Sequence, residues 1–405
     1  MKVLQLTKKF PFPVKDGETV AIHAVSKPLA GLGVEVCLLT MNTSRHPFLQ
    51  EREGEWPAGL SHYREIRKVA VDNEIRLLDA FCNLFSGKSY HVSRFYSREY
   101  ANALANWLRE ETFDIVHLET LYLASYIPVV RANSNARIVM RAHNVESEIW
   151  DRIAAHLPYG PKRWYLSYLT SKLKTFEQDM LGHYDLLVAI TDRDQDTFQR
   201  MGFHGIGLAL PVGFEWKPCT PPSKDLNRTP FSIGFIGSLD WAPNLEGLQW
   251  FLKEVWPKVH LALPEIAFEV AGRNTPEWLL AARIPGVSVV GEVPDAQAFM
   301  CGHRVLLAPL LSGGGIRVKI LEGMALGKVV LSTSMGLEGI PAKDKEHVLI
   351  ADDPDRFVDQ LRFAFHNQEE MSEIGARARA LVATDFGMLS LAKRLVKAYR
   401  HILLR

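Results

Sequence analysis

The sequence predicts an α/β protein made of two doubly wound domains, each with a parallel sheet. Three observations carry this expectation. The first forty residues run strand, helix, strand: apolar Val3 to Thr7, a helix from Ala21 to Leu32 closed by the turn Gly31-Leu32-Gly33, and apolar Glu35 to Thr40. Such a βαβ unit builds a parallel sheet. Pro218, Pro221, Pro222 and Pro230, with polar residues between them, then form a linker that divides the chain into stretches of similar size. Beyond the linker the strand-glycine-helix pattern restarts, first at Phe231 to Ser238 and most clearly from Val305 to Gly327.

Composition excludes several classes. At 405 residues the chain is long enough for two cores, and its 47% apolar and 23% charged residues are ordinary for a globular protein. A net charge of +1 argues against nucleic acid as the main partner. Cys37, Cys82, Cys219 and Cys301 are isolated from one another and make no metal-binding spacing, which points to a reducing compartment. No apolar run reaches the roughly 20 residues needed to span a bilayer, and Met1 to Leu6 reads as a strand rather than a leader. A cytoplasmic enzyme is expected, with no metal and no cofactor.

In chain order, the loop KKFPFPVKDGET after the first strand ends in Asp16-Gly17 just before a helix, where such sheets receive substrates. A plain connecting loop has the same look. Residues 64 to 111 read as mostly helical. Leu77, Leu78, Phe81, Leu84 and Phe85 form an apolar stripe followed by Lys88, His91, Arg94 and Arg98. The stripe suits a core, or a peripheral contact with an anionic membrane. Lys162-Arg163-Trp164-Tyr165, with Tyr168, Lys172 and Lys174, raises the same alternative. The strands Asp114 to Glu119 and Ile138 to Met140 both end in polar residues. His143 and Asn144 are candidates because they sit at a strand end. A lone histidine at such a place also serves as a core residue. After the strand Leu186 to Ile190, Thr191 reads as a helix N-cap.

In the second domain, the strand into Gly237 is followed by Asn244, read as the cap of a helix running to Val259. The strand Ile266 to Ala271 closes on Gly272-Arg273-Asn274, where Arg273 suits a phosphate or a surface acid equally. Val287 to Val290 closes on Gly291-Glu292-Val293. The chemistry is densest after Val305 to Pro309. Gly313, Gly314 and Gly315 leave backbone N–H groups uncovered, and Ile316 to Leu326 has helical periodicity with Gly327 as its stop. An anion fits such a turn, and Arg317 and Lys319 flank it. Glu322, on the same helix, suits hydroxyls beside a diphosphate. Two cations and a carboxylate together fit a nucleotide sugar. A last helix is read from Leu381 to Leu404.

The pattern P-L-x-x-G-G-G-x-R-x-K-x-L-E-x-M-A-x-G-K-V-V from Pro309 to Val330 resembles the donor-site signature of the retaining glycosyltransferases of family 4, which share the GT-B fold. The resemblance extends to Leu210-Pro-Val-Gly-Phe-Glu215 as a hinge entry and to Gly-Ser-Leu-Asp-Trp-x-Pro-Asn after the linker. It implies two Rossmann-like domains facing a cleft, 1–212 completed by 388–405 and 213–387, with the final helix crossing back to the first. It also implies roles. His143, Arg317 and Lys319 would act at the reacting centre. Gly237, Gly272, Arg273, Val293, Gly313 to Gly315, Ile316 and Glu322 would hold the donor, with Glu322 on the ribose and Val293 beside the base. Gly17, His117, Glu119 and Asn144 would face the acceptor. The implied reaction moves a sugar, with retention and without a metal, from a nucleotide-diphosphate sugar to a saccharide or lipid-linked acceptor in surface polysaccharide or glycolipid synthesis. Two departures stand out: Gly314 occupies the place of the family's usual first glutamate, and Ser238 that of a common arginine. A nucleotide-sugar epimerase and a non-catalytic nucleotide-sugar-binding protein are the rival readings. A dinucleotide dehydrogenase is disfavoured because the first strand lacks G-x-G-x-x-G.

Overall fold

The computed structural model describes residues 1–14, 17–44, 48, 56–74, 89–215, 231–312 and 316–405. They form two compact units, Met1–Phe214 with Met388–Arg405, and Glu215–Gly387.

The first unit holds a seven-stranded parallel sheet in the order β3-β2-β1-β4-β5-β6-β7. Its strands are β1 (Lys2–Thr7), β2 (Glu35–Thr43), β3 (Glu65–Val71), β4 (Ile115–Glu119), β5 (Arg137–Ala142), β6 (Leu186–Ala189) and β7 (Ile206–Ala209). Strand order reverses between β1 and β4, which opens a crevice at their carboxyl ends. Side chains alternate between faces with period two. Val3, Ile115 and Val139 therefore share one face, under α1 (Gly17–Gly31) and the C-terminal helix, while Leu4, Val116 and Ile138 share the other, under α2 (Arg98–Glu110).

Two further helices, α3 (Glu146–His156) and α4 (Pro161–Met180), form a hairpin after β5, and α5 (Asp192–Arg200) follows β6. The second unit holds a six-stranded parallel sheet, order β10-β9-β8-β11-β12-β13. These strands are β8 (Ser232–Ile236), β9 (Ala267–Ala271), β10 (Val287–Gly291), β11 (Val305–Ala308), β12 (Val329–Ser332) and β13 (Leu349–Ile350). The helices α6 (Ala242–Trp250) and α7 (Val318–Ala325) follow β8 and β11. The chain ends in α8 (Gln368–Asp385) and α9 (Met388–Leu403), and α9 packs on α1 in the first unit.

The structure corrects several local readings. Residues 65–71 are an edge strand, not helix, because Glu-Ile-Arg-Lys-Val-Ala-Val alternates buried and outward residues in register with β2. The last helix is two, α8 and α9, broken at Phe386-Gly387. The helix read from Asn244 to Val259 begins at Ala242, turns as a π-helix over Phe251–Val255, and resumes at Trp256. The donor-side helix begins at Val318 rather than Ile316, with Arg317 as an extended N-cap; Gly327 closes it in the left-handed conformation at φ +70°. Thr191 does cap α5, accepting from the Asp194 N–H at 3.0 Å. Cys37 is a free buried thiol. The proline-rich linker from Pro218 to Pro230 and the stripe from Leu77 to Lys88 lie outside the described residues.

Candidate functional site

At the carboxyl end of the first sheet, strand register assembles a polar cluster. Gln5 pairs with His117, Thr7 with Glu119, and Glu119 with Arg141, so these odd-numbered positions all point to the face beneath α1 and α9. Glu119 lies at the centre and is fully buried. Its Oε1 accepts from Gln5 Nε2 at 2.6 Å, and the Tyr63 hydroxyl donates to the Gln5 Oε1 at 2.8 Å. Its Oε2 lies 2.8 Å from His143 Nε2 and 3.5 Å from Arg141 Nη1. Arg141 Nη1 also donates to the Ala21 carbonyl in α1, at 2.8 Å.

Burial pushes the Glu119 carboxyl up, but Arg141, His117 and His143 outweigh it and hold the group well below the usual carboxylate range. Burial lowers the His117 imidazole to about 4, so it is neutral at pH 7. With the carboxylate 3.4 Å from His117 Nε2, the tautomer protonated at that nitrogen is favoured. His117 Nδ1 then accepts from the Tyr399 hydroxyl, which α9 delivers. By the same logic an ionised Glu119 makes His143 Nε2 a donor, which leaves Nδ1 as the basic nitrogen of that ring.

His117 and Glu119 were expected to face an acceptor, yet both are buried to 1% exposure or less. They are the underlayer of His143, because the parity of β4 turns them towards α1 and α9. His143 is half-buried and Asn144 is exposed beyond β5, while Gly17 is the first residue of α1. Arg141, Gln5, Tyr63 and Tyr399 were not singled out from the sequence. Arg141 carried one signal, a charge directly after the apolar run Ile138-Val139-Met140.

At the corresponding end of the second sheet, where order reverses between β8 and β11, Lys319 enters from α7. Its ammonium donates to Asn244 Oδ1 at 2.7 Å and lies 4.7 Å over the Phe235 ring. Asn244 is no cap. It sits inside α6 and donates to the Ser238 carbonyl at 2.9 Å, tying Lys319 to the turn after β8. Burial first, and Arg317 second, lower the Lys319 amine to about 7. Among the described residues no carboxylate pairs with it. The Arg317 guanidinium lies 6.0 Å over the Trp241 ring. Glu322 is half-buried, and burial raises its carboxyl.

Gly272 packs so tightly that a Cβ there would come within 2.2 Å of the Gly237 carbonyl oxygen, which keeps the β8 and β9 turns together. Arg273 is exposed, Val293 and Ile316 are half-buried, and Gly313 to Gly315 lie outside the described residues. Among the described residues no group of His, Cys, Asp and Glu is arranged to hold a metal ion.

Two family models match the chain: "Glycosyl transferase 4-like domain" over residues 16–208 and "Glycosyl transferases group 1" over residues 230–367. The chain belongs to the group 1 glycosyltransferases. Its fold is GT-B. HepE from Anabaena, solved with UDP, superposes with a TM-score of 0.60 at 12% identity, covering 99% of this chain and all of the other. Sucrose-phosphate synthase from Thermosynechococcus elongatus gives 0.61 at 15% identity, with both chains fully covered. A 44.6 kDa uncharacterised protein in the cps region of Klebsiella pneumoniae is 25% identical over 287 residues, 68% of this glycosyltransferase and 71% of the relative.

Proposed function

We propose that this glycosyltransferase moves a sugar, with retention, from a nucleotide-diphosphate sugar to a saccharide or lipid-linked acceptor in surface polysaccharide assembly. The observation that carries the reading is Lys319: a half-buried amine, bonded to a neutral amide and beside a second, buried cation, is stabilised by an arriving anion. The diphosphate would meet Lys319 and Arg317 at the start of α7, where backbone N–H groups and the helix dipole add to the attraction. These groups would stabilise charge growing on the leaving diphosphate, the neutralisation a metal ion supplies elsewhere. Glu322 would take the ribose hydroxyls, Gly237, Gly272, Arg273, Val293, Ile316 and Gly313 to Gly315 would line the donor, and Gly17 and Asn144 the acceptor. His143, oriented through Nε2 by Glu119, would offer Nδ1 to a substrate hydroxyl. The cps-region relative supports a place in polysaccharide assembly.

A thermal-shift panel of UDP, GDP, ADP, TDP and CMP with their sugar nucleotides tests the donor site. UDP comes first because HepE was solved with UDP and with UDP-glucose. A ligand at about 100 times its dissociation constant should add roughly 2.7 kcal/mol to stability. Selective stabilisation that Arg317→Ala abolishes is the expected result. Silence across the panel would discard the donor site, and donor binding without transfer or donor hydrolysis would favour the non-catalytic reading.

A further inference from the structure

The α3–α4 hairpin presents an organised patch that the reaction does not use. Tyr159 is 91% exposed, Trp164 66% and Ile153 43%, at and beside the tip. Exposed rings of this size usually mark a partner surface rather than an unused one. The rings are ordered and interleaved with cations. Trp164 and Tyr168 stack at 5.9 Å and 4°, the Arg163 guanidinium lies 4.2 Å over Tyr159, and the Lys172 amine lies 4.5 Å over Tyr168. From Leu157 to Phe176 the chain has four cations, Lys162, Arg163, Lys172 and Lys174, and no acid. Nearby on α3, Glu148 is already taken up by Arg152 and Arg193.

We propose that this hairpin is an anchor for the anionic surface of a lipid bilayer. Tryptophan and tyrosine prefer the interface between headgroups and hydrocarbon, and lysine and arginine stems lie along apolar surface while their heads reach lipid phosphates. Charge complementarity selects this occupant, since the cationic face of α4, acid-free from Leu157 to Phe176, repels a second copy of itself and attracts an anionic leaflet. The anchor is joined to the candidate site. α3 begins three residues after His143, and Glu177 near the end of α4 accepts from the backbone N–H groups of Glu146 and Ser147 at 2.9 and 3.1 Å. Glu177 lies thirteen positions after Trp164 along the helix, so the patch stands about 20 Å from that tie. Docked in this way, the site edge faces the membrane at a distance suited to a lipid-linked acceptor, a consequence that rests on the transferase reading above.

The test is co-sedimentation of the full chain with vesicles of phosphatidylcholine alone and of phosphatidylcholine mixed with phosphatidylglycerol. Binding should be confined to the mixed vesicles and fall with added salt. Tyr159→Ser with Trp164→Ser should abolish it, and Lys162→Ala or Lys172→Ala should each weaken partitioning about fivefold. All are surface changes, so an unchanged melting temperature serves as the folding control. Equal binding to both vesicle types, or binding that the variants leave intact, would overturn the anchor. So would a dimer in sedimentation equilibrium that the double variant disperses while vesicle binding is absent. Nucleotide response measured in the same samples separates the two proposals. Vesicle binding without it removes the transferase reading alone, and the converse removes the anchor alone.

Discussion

The polar clusters at the carboxyl ends of the two sheets differ in how their charges are settled. Around Glu119 the accounts close within the protein: the carboxylate faces Arg141, Gln5 and His143, and His117 is neutral. Around Lys319 they do not among the described residues, for its hydrogen bond goes to an amide and the charge that bears on it, Arg317, repels it. A cluster whose charges are balanced without ligand serves to hold something else in place, here the His143 ring. A half-buried cation without a counter-charge costs stability and recovers it when an anion binds.

The contrast breaks most sharply at Glu119. Glu119→Gln leaves Arg141 buried without its counter-charge and should lose about 3–5 kcal/mol of unfolding free energy in urea titrations. Adding Arg141→Met should return part of that loss, and a merely additive double variant would mean the two charges do not depend on each other. Lys319→Met should act in the opposite sense. It removes an uncompensated charge and should raise the stability of the free protein by about 1 kcal/mol or more, while weakening nucleoside-diphosphate binding by about 2 kcal/mol or more.

The pH dependence sharpens the same point. The folded amine titrates near 7 against 10.5 for the ordinary group, so between those values the unfolded chain holds a proton that the folded one lacks. This group's contribution to stability therefore rises with pH across that window. Diphosphate binding there should take up a proton, seen by calorimetry in buffers of different ionisation heat and absent in Lys319→Met. The smallest effect belongs to Tyr399→Phe. It removes the hydroxyl bonded to His117 Nδ1 and should cost about 1 kcal/mol. If Tyr399 also positions His143 through Glu119, the pH profile of transfer should shift, a change that lost packing alone does not produce.

Much of the second cluster was legible because its signals are local. Glycines after an apolar strand, two cations one residue apart and a helix stop at Gly327 all report on chain neighbours, and the structure places Arg317 and Lys319 together at the start of α7. Asn244 was misread because a polar residue near a helix start has the pattern of a cap. Only the approach of α7 to α6 shows that its amide serves Lys319. Residues 65–71 were misread because a charged edge strand and an amphipathic helix segment look alike over seven residues.

In the first cluster, that polar residues end apolar strands is legible in the residues alone, because a two-residue period and a run of apolar side chains are properties of the local chain. Whether Glu119 meets an acceptor or supports His143 was decided by tertiary structure alone. Strand parity turns it inward, β5 brings Arg141 beside it, and α9 carries Tyr399 across 282 residues of sequence to His117. A buried charge is stabilised by whatever the fold places within a few ångströms, and sequence separation carries no trace of that distance.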